Sequence, residues 1–524
     1  MPRVLVTDPL SNEALELLRR ETELEVSTSL SKEELLARVA GADALLVRSQ
    51  TRVTREVIEA GTRLQVVGRA GVGVDNIDVA AATQRGVLVV NSPSGNTISA
   101  AEHTMALLLA AARRLPQAHQ SMVEGKWDRK SFTGSELYNK TLGVVGFGRI
   151  GREVASRAAS FKMKVLAYDP FVSEDFVRER GCERADLDDL LSRSDFVTLH
   201  VPLTEQTENL MDRRRLGLLP KGAFLVNCAR GKILDEGALA EAVRSGRLGG
   251  AALDVYREEP PKNSPVVGVD RLITTPHLAA STHEAQVRVA LDVAEQVLEV
   301  LQGLPPRSAV NIPYLPPKVL NFLRPYLTLA EKMGFFLHHL TDGPIRRVRL
   351  TYCGELAASD TSFVSKAALK GVLSQESPET VNFVNAVLVA EERGIEISET
   401  RSTRGGPYAN LIQMEVETDR GTRRCAGTVF LDQPRIVEID GLELTVVPEG
   451  VKLLTWQTDQ PGVVGRVGTI LGECGVNIAE MQVGRRGAGT RAVMAMSVDN
   501  HPGPGVVERI RTLDGIEDAR LVCL

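Results

Sequence analysis

Short apolar runs at residues 4–6, 44–47, 64–67 and 87–90 alternate with stretches at 11–20 and 32–40 whose apolar positions recur at helical spacing. Strand and helix taken in turn predict a parallel sheet. Residues 100–114 then read as a long helix, and the polar stretch 124–138 separates it from a second alternation. There the apolar runs lie at 142–145, 165–168, 196–199, 223–226, 251–253 and 272–275, with the clearest helices at 235–244 and 284–301. The last helix reads as a return to the first unit. This predicts a discontinuous domain, 1–98 with 283–310, carrying an inserted domain at 99–282 and a cleft between the two.

The proline-rich stretch GLPPRSAVNIPYLPPK at 303–318 has no periodicity and marks a boundary. Beyond it come a helix at 320–340, a mixed stretch, and short alternating runs over 411–447 that break at Asp419-Arg420-Gly421 and Asp440-Gly441. That pattern predicts an α+β unit at 311–449 with an antiparallel sheet. Residues 450–524 read strand, helix, strand, strand, helix, strand, the order of a ferredoxin-like unit.

Composition narrows the class without naming it. A chain of 524 residues is too long for one core, and its 43% hydrophobic and 25% charged residues are ordinary for a globular protein. A net charge of -5 offers no electrostatic footprint for nucleic acid or an anionic membrane, so neither partner is expected. The six cysteines are scattered without metal-ligand spacing, which predicts reduced thiols, a cytoplasmic location and no metal site. The start, MPRVLVTDPL, lacks the plan of a signal peptide, and no apolar run reaches transmembrane length.

The chemistry concentrates in TLGVVGFGRIGREVASRAASFKMKVLAYDP, residues 141–170. Gly146-x-Gly148-x-x-Gly151 follows a strand and opens a helix, the arrangement that cradles a pyrophosphate. Asp169 ends the next strand, where an acid holds a ribose 2′-hydroxyl. Pro170 and Phe171 follow it with no arginine for a 2′-phosphate, so NAD is expected rather than NADP. Hydride transfer from an alcohol also needs a base and a cation. His277, in TTPHLAAS, follows a strand at the edge where α/β sites collect, and Arg230 and Glu259 follow two other strands of the same unit. His103, His119, His338 and His339 read as packing or surface residues.

These residues resemble the D-2-hydroxyacid dehydrogenase family, most closely its branch acting on 3-phosphoglycerate. The motifs are GRAGVGVDNID (68–78), NSPSGNTISAAEH (91–103), GKW (125–127), GFGRIGREVA (146–155), NCARGKILDEGAL (227–239), GAALDVYREEPP (250–261) and TTPHLAASTHEAQ (274–286). The resemblance implies a Rossmann-type NAD domain inserted in a flavodoxin-like α/β substrate domain. It also implies that His277 is the general acid/base, Glu259 its partner and Arg230 the holder of the substrate's carboxylate end. Gly146, Gly148, Arg149, Ile150 and Gly151 would meet the pyrophosphate, Asp169 the ribose, and Cys228, Ala229, Asp254 and Ala280 the nicotinamide side. Val72 stands where the family usually carries a small hydroxyl residue. Arg48, Arg69 and Asn96 match substrate positions, and Lys126, Arg129 and Lys130 are candidates to approach the phosphate from a second subunit.

The last unit resembles an ACT domain, in which Asp459 and Asn477 match ligand positions, although Gln457 stands where serine sites often have His or Tyr. Arg401, Arg404, Arg423 and Arg424 form either an anion site or a solvated basic face in the intervening unit. The expected activity is NAD-dependent oxidation of 3-phosphoglycerate to 3-phosphohydroxypyruvate, opening the phosphorylated route to L-serine, with L-serine as effector and a homodimer or homotetramer. Two alternatives stay open: a dehydrogenase for another 2-hydroxyacid such as glyoxylate, and an NAD-sensing corepressor-like binding protein.

Overall fold

The computed structural model describes residues 1–304, 306–313, 316–373, 381–404 and 406–524. The first sheet has five parallel strands, in the spatial order Glu23–Val26, Arg3–Val6, Ala44–Val47, Val66–Arg69, Leu88–Asn91. In chain numbering this is 2-1-3-4-5, the flavodoxin-like order. Its inner strands are nearly continuous apolar runs because helices cover both faces. Helix His283–Leu301 forms part of that cover, with Ala290, Val293, Ala294 and Val297 packed among Val4, Val6, Leu46 and Val66.

The second sheet has seven parallel strands, running from Leu272–Thr274 through Gly250–Leu253, Phe224–Asn227, Phe196–Leu199, Thr141–Val145 and Lys164–Tyr168 to Glu183–Arg184. From the strand Thr141–Val145 outward the order is that of a Rossmann unit, with one strand added at the far edge. Helix Thr97–Arg113 connects the units and buries Leu107, Leu108, Ala111 and Ala112 in the second. The two crossings are tied by the Ser99 and Thr282 hydroxyls, 2.7 Å apart.

The third unit departs from expectation. Its six-stranded sheet is mixed: Ile345–Gly354 runs antiparallel to Asn410–Thr418 but parallel to the edge strand Glu396–Ser402. The polar sequence EISETRS of that edge strand gave no apolar signal, which is why an all-antiparallel sheet was expected. Helices Pro317–Leu340 and Ser362–Leu373 pack together in one core with the sheet's inner face. The last unit has four strands, with Ile478–Arg485 at one edge, then Arg491–Val498, Val451–Thr458 and Ile516–Cys523. With helices Val463–Glu473 and Val506–Arg511 it is ferredoxin-like. Arg423 joins these two units, donating to Asp440 at 2.6 Å and stacking 4.3 Å from the Trp456 ring centre. Among the described residues, no helix is long and apolar enough to cross a membrane.

Candidate active site

The glycine-rich turn is built as its spacing requires. Gly146 sits at φ +96°, and a Cβ there would lie 2.7 Å from the His200 backbone. A Cβ on Gly151 would lie 2.1 Å from the Gly146 carbonyl, so the helix Arg149–Ser160 packs tightly against the turn only with glycine at that position. Gly148 differs, because nothing lies within 4 Å of its Cβ position. Open space beside the N-terminus of a 12-residue helix fits a pyrophosphate. Asp169 accepts from the Phe147 and Phe171 amides, each at 2.9 Å, and so braces the same turn. A carboxylate has lone pairs left over for a ribose hydroxyl. Ile150 is packed against the core, and Arg149 donates to the Pro93 carbonyl across the cleft.

Three adjacent strands of the second sheet deliver the reactive groups to one edge. After Phe224–Asn227, the buried Asn227 side chain donates to the Arg230 carbonyl at 2.9 Å and accepts from the Ala229 amide at 3.0 Å. That shapes the turn holding Cys228, Ala229 and Arg230. Burial pushes the Cys228 thiol up to about 12, so it stays protonated. Glu259 lies beyond Gly250–Leu253 and His277 beyond Leu272–Thr274, and they meet with Nδ1 2.7 Å from the carboxylate. The hydrogen bond to Glu259 raises the His277 pKa above the ordinary imidazole value against the opposing effect of burial. For Glu259, burial acts upward, but the His277 bond and charge outweigh it and the pKa falls.

Asp254 is the brace under this loop. Fully buried, it accepts from Thr275 Oγ1 at 2.6 Å, the Leu278 amide at 2.7 Å and the Ala279 amide at 2.8 Å. Those bonds flank His277, which sits at φ 54°, a left-handed conformation that a side chain takes only when its surroundings impose it. Ala280 follows, half-buried, in the same loop. His103 Nε2 lies 3.2 Å from Asp254 and 3.3 Å from Thr275 Oγ1. It therefore packs beneath the His277 loop, a supporting contact in keeping with its reading as a packing residue.

The first unit faces this edge with cations. Arg69 ends its strand, and its guanidinium lies where a Cβ on Gly71 would be, at 1.7 Å. Burial, then the charge of Arg230, lowers its pKa to about 10, with Asp75 opposing, so it is still protonated at neutral pH. Among the described residues its buried Nε has no hydrogen-bond partner, and the same holds for Ser92 Oγ and Asn96 Oδ1 in the segment that leads into the connecting helix. Unpaired buried donors and acceptors are costly unless a ligand completes them. Arg48 donates its amide to Asp8 at 2.6 Å, and the buried Asp8 also takes the Gln50 and Thr51 amides, fixing that loop. Asp8, Asp75 and His103 were not marked by sequence reasoning.

The other candidates are not gathered in this way. Lys126 pairs with Glu124 on an exposed segment. Arg401 reaches Thr361 from the strand Glu396–Ser402, three places across the sheet from the strand bearing Arg423 and Arg424, so the four arginines form no single cluster. In the last unit Asp459 is paired with Arg485, while Asn477 donates to Asp499 at 2.7 Å.

Comparison with known proteins places the chain by its similarity in sequence and fold. Residues 105–279 match the NAD binding domain of D-isomer specific 2-hydroxyacid dehydrogenases, residues 322–440 the D-3-phosphoglycerate dehydrogenase intervening domain, and residues 452–515 the ACT domain. A D-3-phosphoglycerate dehydrogenase of Methanocaldococcus jannaschii is 46% identical, with 100% of both chains covered. The chain belongs to the D-3-phosphoglycerate dehydrogenase family. The family's enzyme from Archaeoglobus fulgidus is 47% identical over 99% of both chains. Among solved structures, the D-lactate dehydrogenase of Aquifex aeolicus, complexed with NAD and lactic acid, has 30% identity and a TM-score of 0.52 over 57% of this chain and 96% of that one. The family's dehydrogenase part is thus shared with 2-hydroxyacid dehydrogenases, and the intervening and ACT parts extend it.

Proposed function

We propose that the protein oxidises 3-phospho-D-glycerate to 3-phosphohydroxypyruvate with NAD, the first step of the phosphorylated route to L-serine. The observation that carries this reading is the His277–Glu259 pair at a cleft edge facing Arg230, Arg69 and Arg48. Because Nδ1 donates to the Glu259 carboxylate, the Nε2 lone pair of neutral His277 is left to take a proton. NAD, when bound on the Gly146–Gly151 turn, supplies the acceptor for the hydride from C2. His277 removes the proton of the C2 hydroxyl, and Glu259 stabilises the imidazolium that results. Arg230 holds the carboxylate and polarises the forming carbonyl, a role suited to a planar cation with several donors. Arg69 and Arg48 receive the phosphate, and Asn96 lies at the start of the connecting helix, where the two units turn toward each other. Cys228, Ala229, Asp254 and Ala280 border the nicotinamide side.

For the remainder, we assign residues 1–98 with 283–310 to the substrate domain, 99–282 to the NAD domain, 311–449 to the intervening domain and 450–524 to the ACT domain. L-serine is the proposed effector, bound through Asp459 and Asn477 in a cytoplasmic homo-oligomer, dimer or tetramer. The test is a substrate panel with purified protein and NAD, run with and without L-serine. NADH formation with 3-phosphoglycerate is the expected result. Turnover of glycolate or another 2-hydroxyacid with none of 3-phosphoglycerate would overturn the substrate, and transcription-factor binding without turnover would favour a corepressor-like role.

A further inference from the structure

The Arg230 guanidinium is gripped from both sides of the cleft. Its own unit takes Nη1, which donates to the Ala229 carbonyl at 2.7 Å. The first unit takes Nε, which lies 3.2 Å from Asp75 Oδ2 in the turn after the strand Val66–Arg69. The same turn leaves room for Nη2. A Cβ on Gly73 would lie 2.0 Å from Arg230 Nη2 and 2.7 Å from Asp75 Oδ2, so any side chain there would displace the guanidinium.

We propose that Asp75 is a positioning residue: with Gly73 it clasps Arg230 across the cleft, fixing the plane in which the remaining N–H groups meet the substrate. The cation is then aligned only while the two units are together, which ties closure to substrate grip. This rests on the reading of Arg230 as the substrate-holding cation. Asp75 is 67% exposed and Arg230 31%, and a pair this wet adds little to folding. Removing Asp75 should therefore spare the fold. It also separates two accounts by sign. If Asp75 only screened the arginines, its loss would strengthen the attraction for an anionic substrate and lower KM. If it orients Arg230, its loss weakens use of that substrate although the site becomes more positive.

The test is steady-state kinetics with 3-phosphoglycerate and NAD on the full-length protein as wild type, Asp75→Ala, Asp75→Asn, Arg230→Lys and the Asp75→Ala/Arg230→Lys double variant. The clasp predicts a loss of about tenfold in kcat/KM for Asp75→Ala, a smaller loss for Asp75→Asn, and unchanged Tm and KM for NAD. In the Arg230→Lys background the same change should cost less than roughly twofold, because its route of action is already gone. A full multiplicative loss in the double variant, or a lower KM for 3-phosphoglycerate in Asp75→Ala, overturns the proposal. Wild-type kcat/KM in Arg230→Lys removes the Arg230 reading itself, a failure visible without any Asp75 variant.

Discussion

The cleft and the ACT unit each present residues marked as ligand-binding, yet only the cleft assembles them within one chain. Arg230, Glu259 and His277 all follow strands of a parallel sheet, and parallel strands end on the same edge. Asp459 follows its strand, whereas Asn477 precedes one that runs in the same direction two places away. They therefore lie at opposite edges of the sheet, and an eight-residue strand such as Ile478–Arg485 separates edges by about 26 Å. A small amino acid cannot touch both in one chain. The proposed catalytic residues meet within one protomer, whereas a serine site that used both Asp459 and Asn477 would have to draw them from two copies.

The largest effect expected from that contrast is at His277. His277→Ala should lower kcat on the order of 10²–10⁴-fold, as loss of a general base does, while NADH affinity measured by fluorescence titration stays unchanged. Unchanged turnover would leave the cleft without its base. Next comes Arg69. Charge-assisted hydrogen bonds contribute about 1.5–3 kcal/mol, so Arg69→Ala should raise KM for 3-phosphoglycerate roughly 10- to 100-fold. A non-phosphorylated 2-hydroxyacid should feel the change far less, and equal losses on both substrates would remove the phosphate role.

Glu259 gives a pH signature. Oxidation needs neutral His277, and the Glu259 bond holds the imidazolium, so kcat/KM should rise with pH through a value above that of an ordinary imidazole. Glu259→Gln removes the cause of the elevation. The acidic limb should then move to lower pH while the plateau falls severalfold. A limb that stays in place would detach Glu259 from the titration.

The same contrast explains what was legible in the sequence. Buried parallel strands such as Ala44–Val47 and Phe196–Leu199 read directly as apolar runs, and loops after them were the natural place to look for chemistry. Two edge strands escaped, Glu23–Val26 with the sequence ELEV and Glu396–Ser402, because their mostly exposed or half-buried positions carry charged side chains that break any apolar run. The proposed trio could be singled out by its position after strands. Its supports could not, since Asp8, Asp75 and His103 look like turn or helix-surface residues until folding brings them to residues 40 to 155 positions away. Side-chain direction also decided the intervening arginines, of which Arg423 is committed to Asp440 and the Trp456 face.

The smallest effect on basal turnover, and the sharpest on the comparison, belongs to Asp459. Its carboxylate is paired with Arg485 at one edge of the ACT sheet, so an incoming ammonium group must compete with that guanidinium or share the carboxylate with it. Asp459→Ala should leave kcat without serine within roughly twofold of wild type, because the residue lies outside the cleft. Calorimetric heat with L-serine should disappear in this variant and in Asn477→Ala alike, although the two positions are at opposite edges of each protomer. Mixing the two variants offers a decisive complement. An interface that pairs Asp459 of one chain with Asn477 of another regenerates one intact site in a mixed dimer, so part of the heat should return on subunit exchange. A site contained within one chain would give no recovery, and the regulatory half of the molecule would then be assembled like the catalytic half.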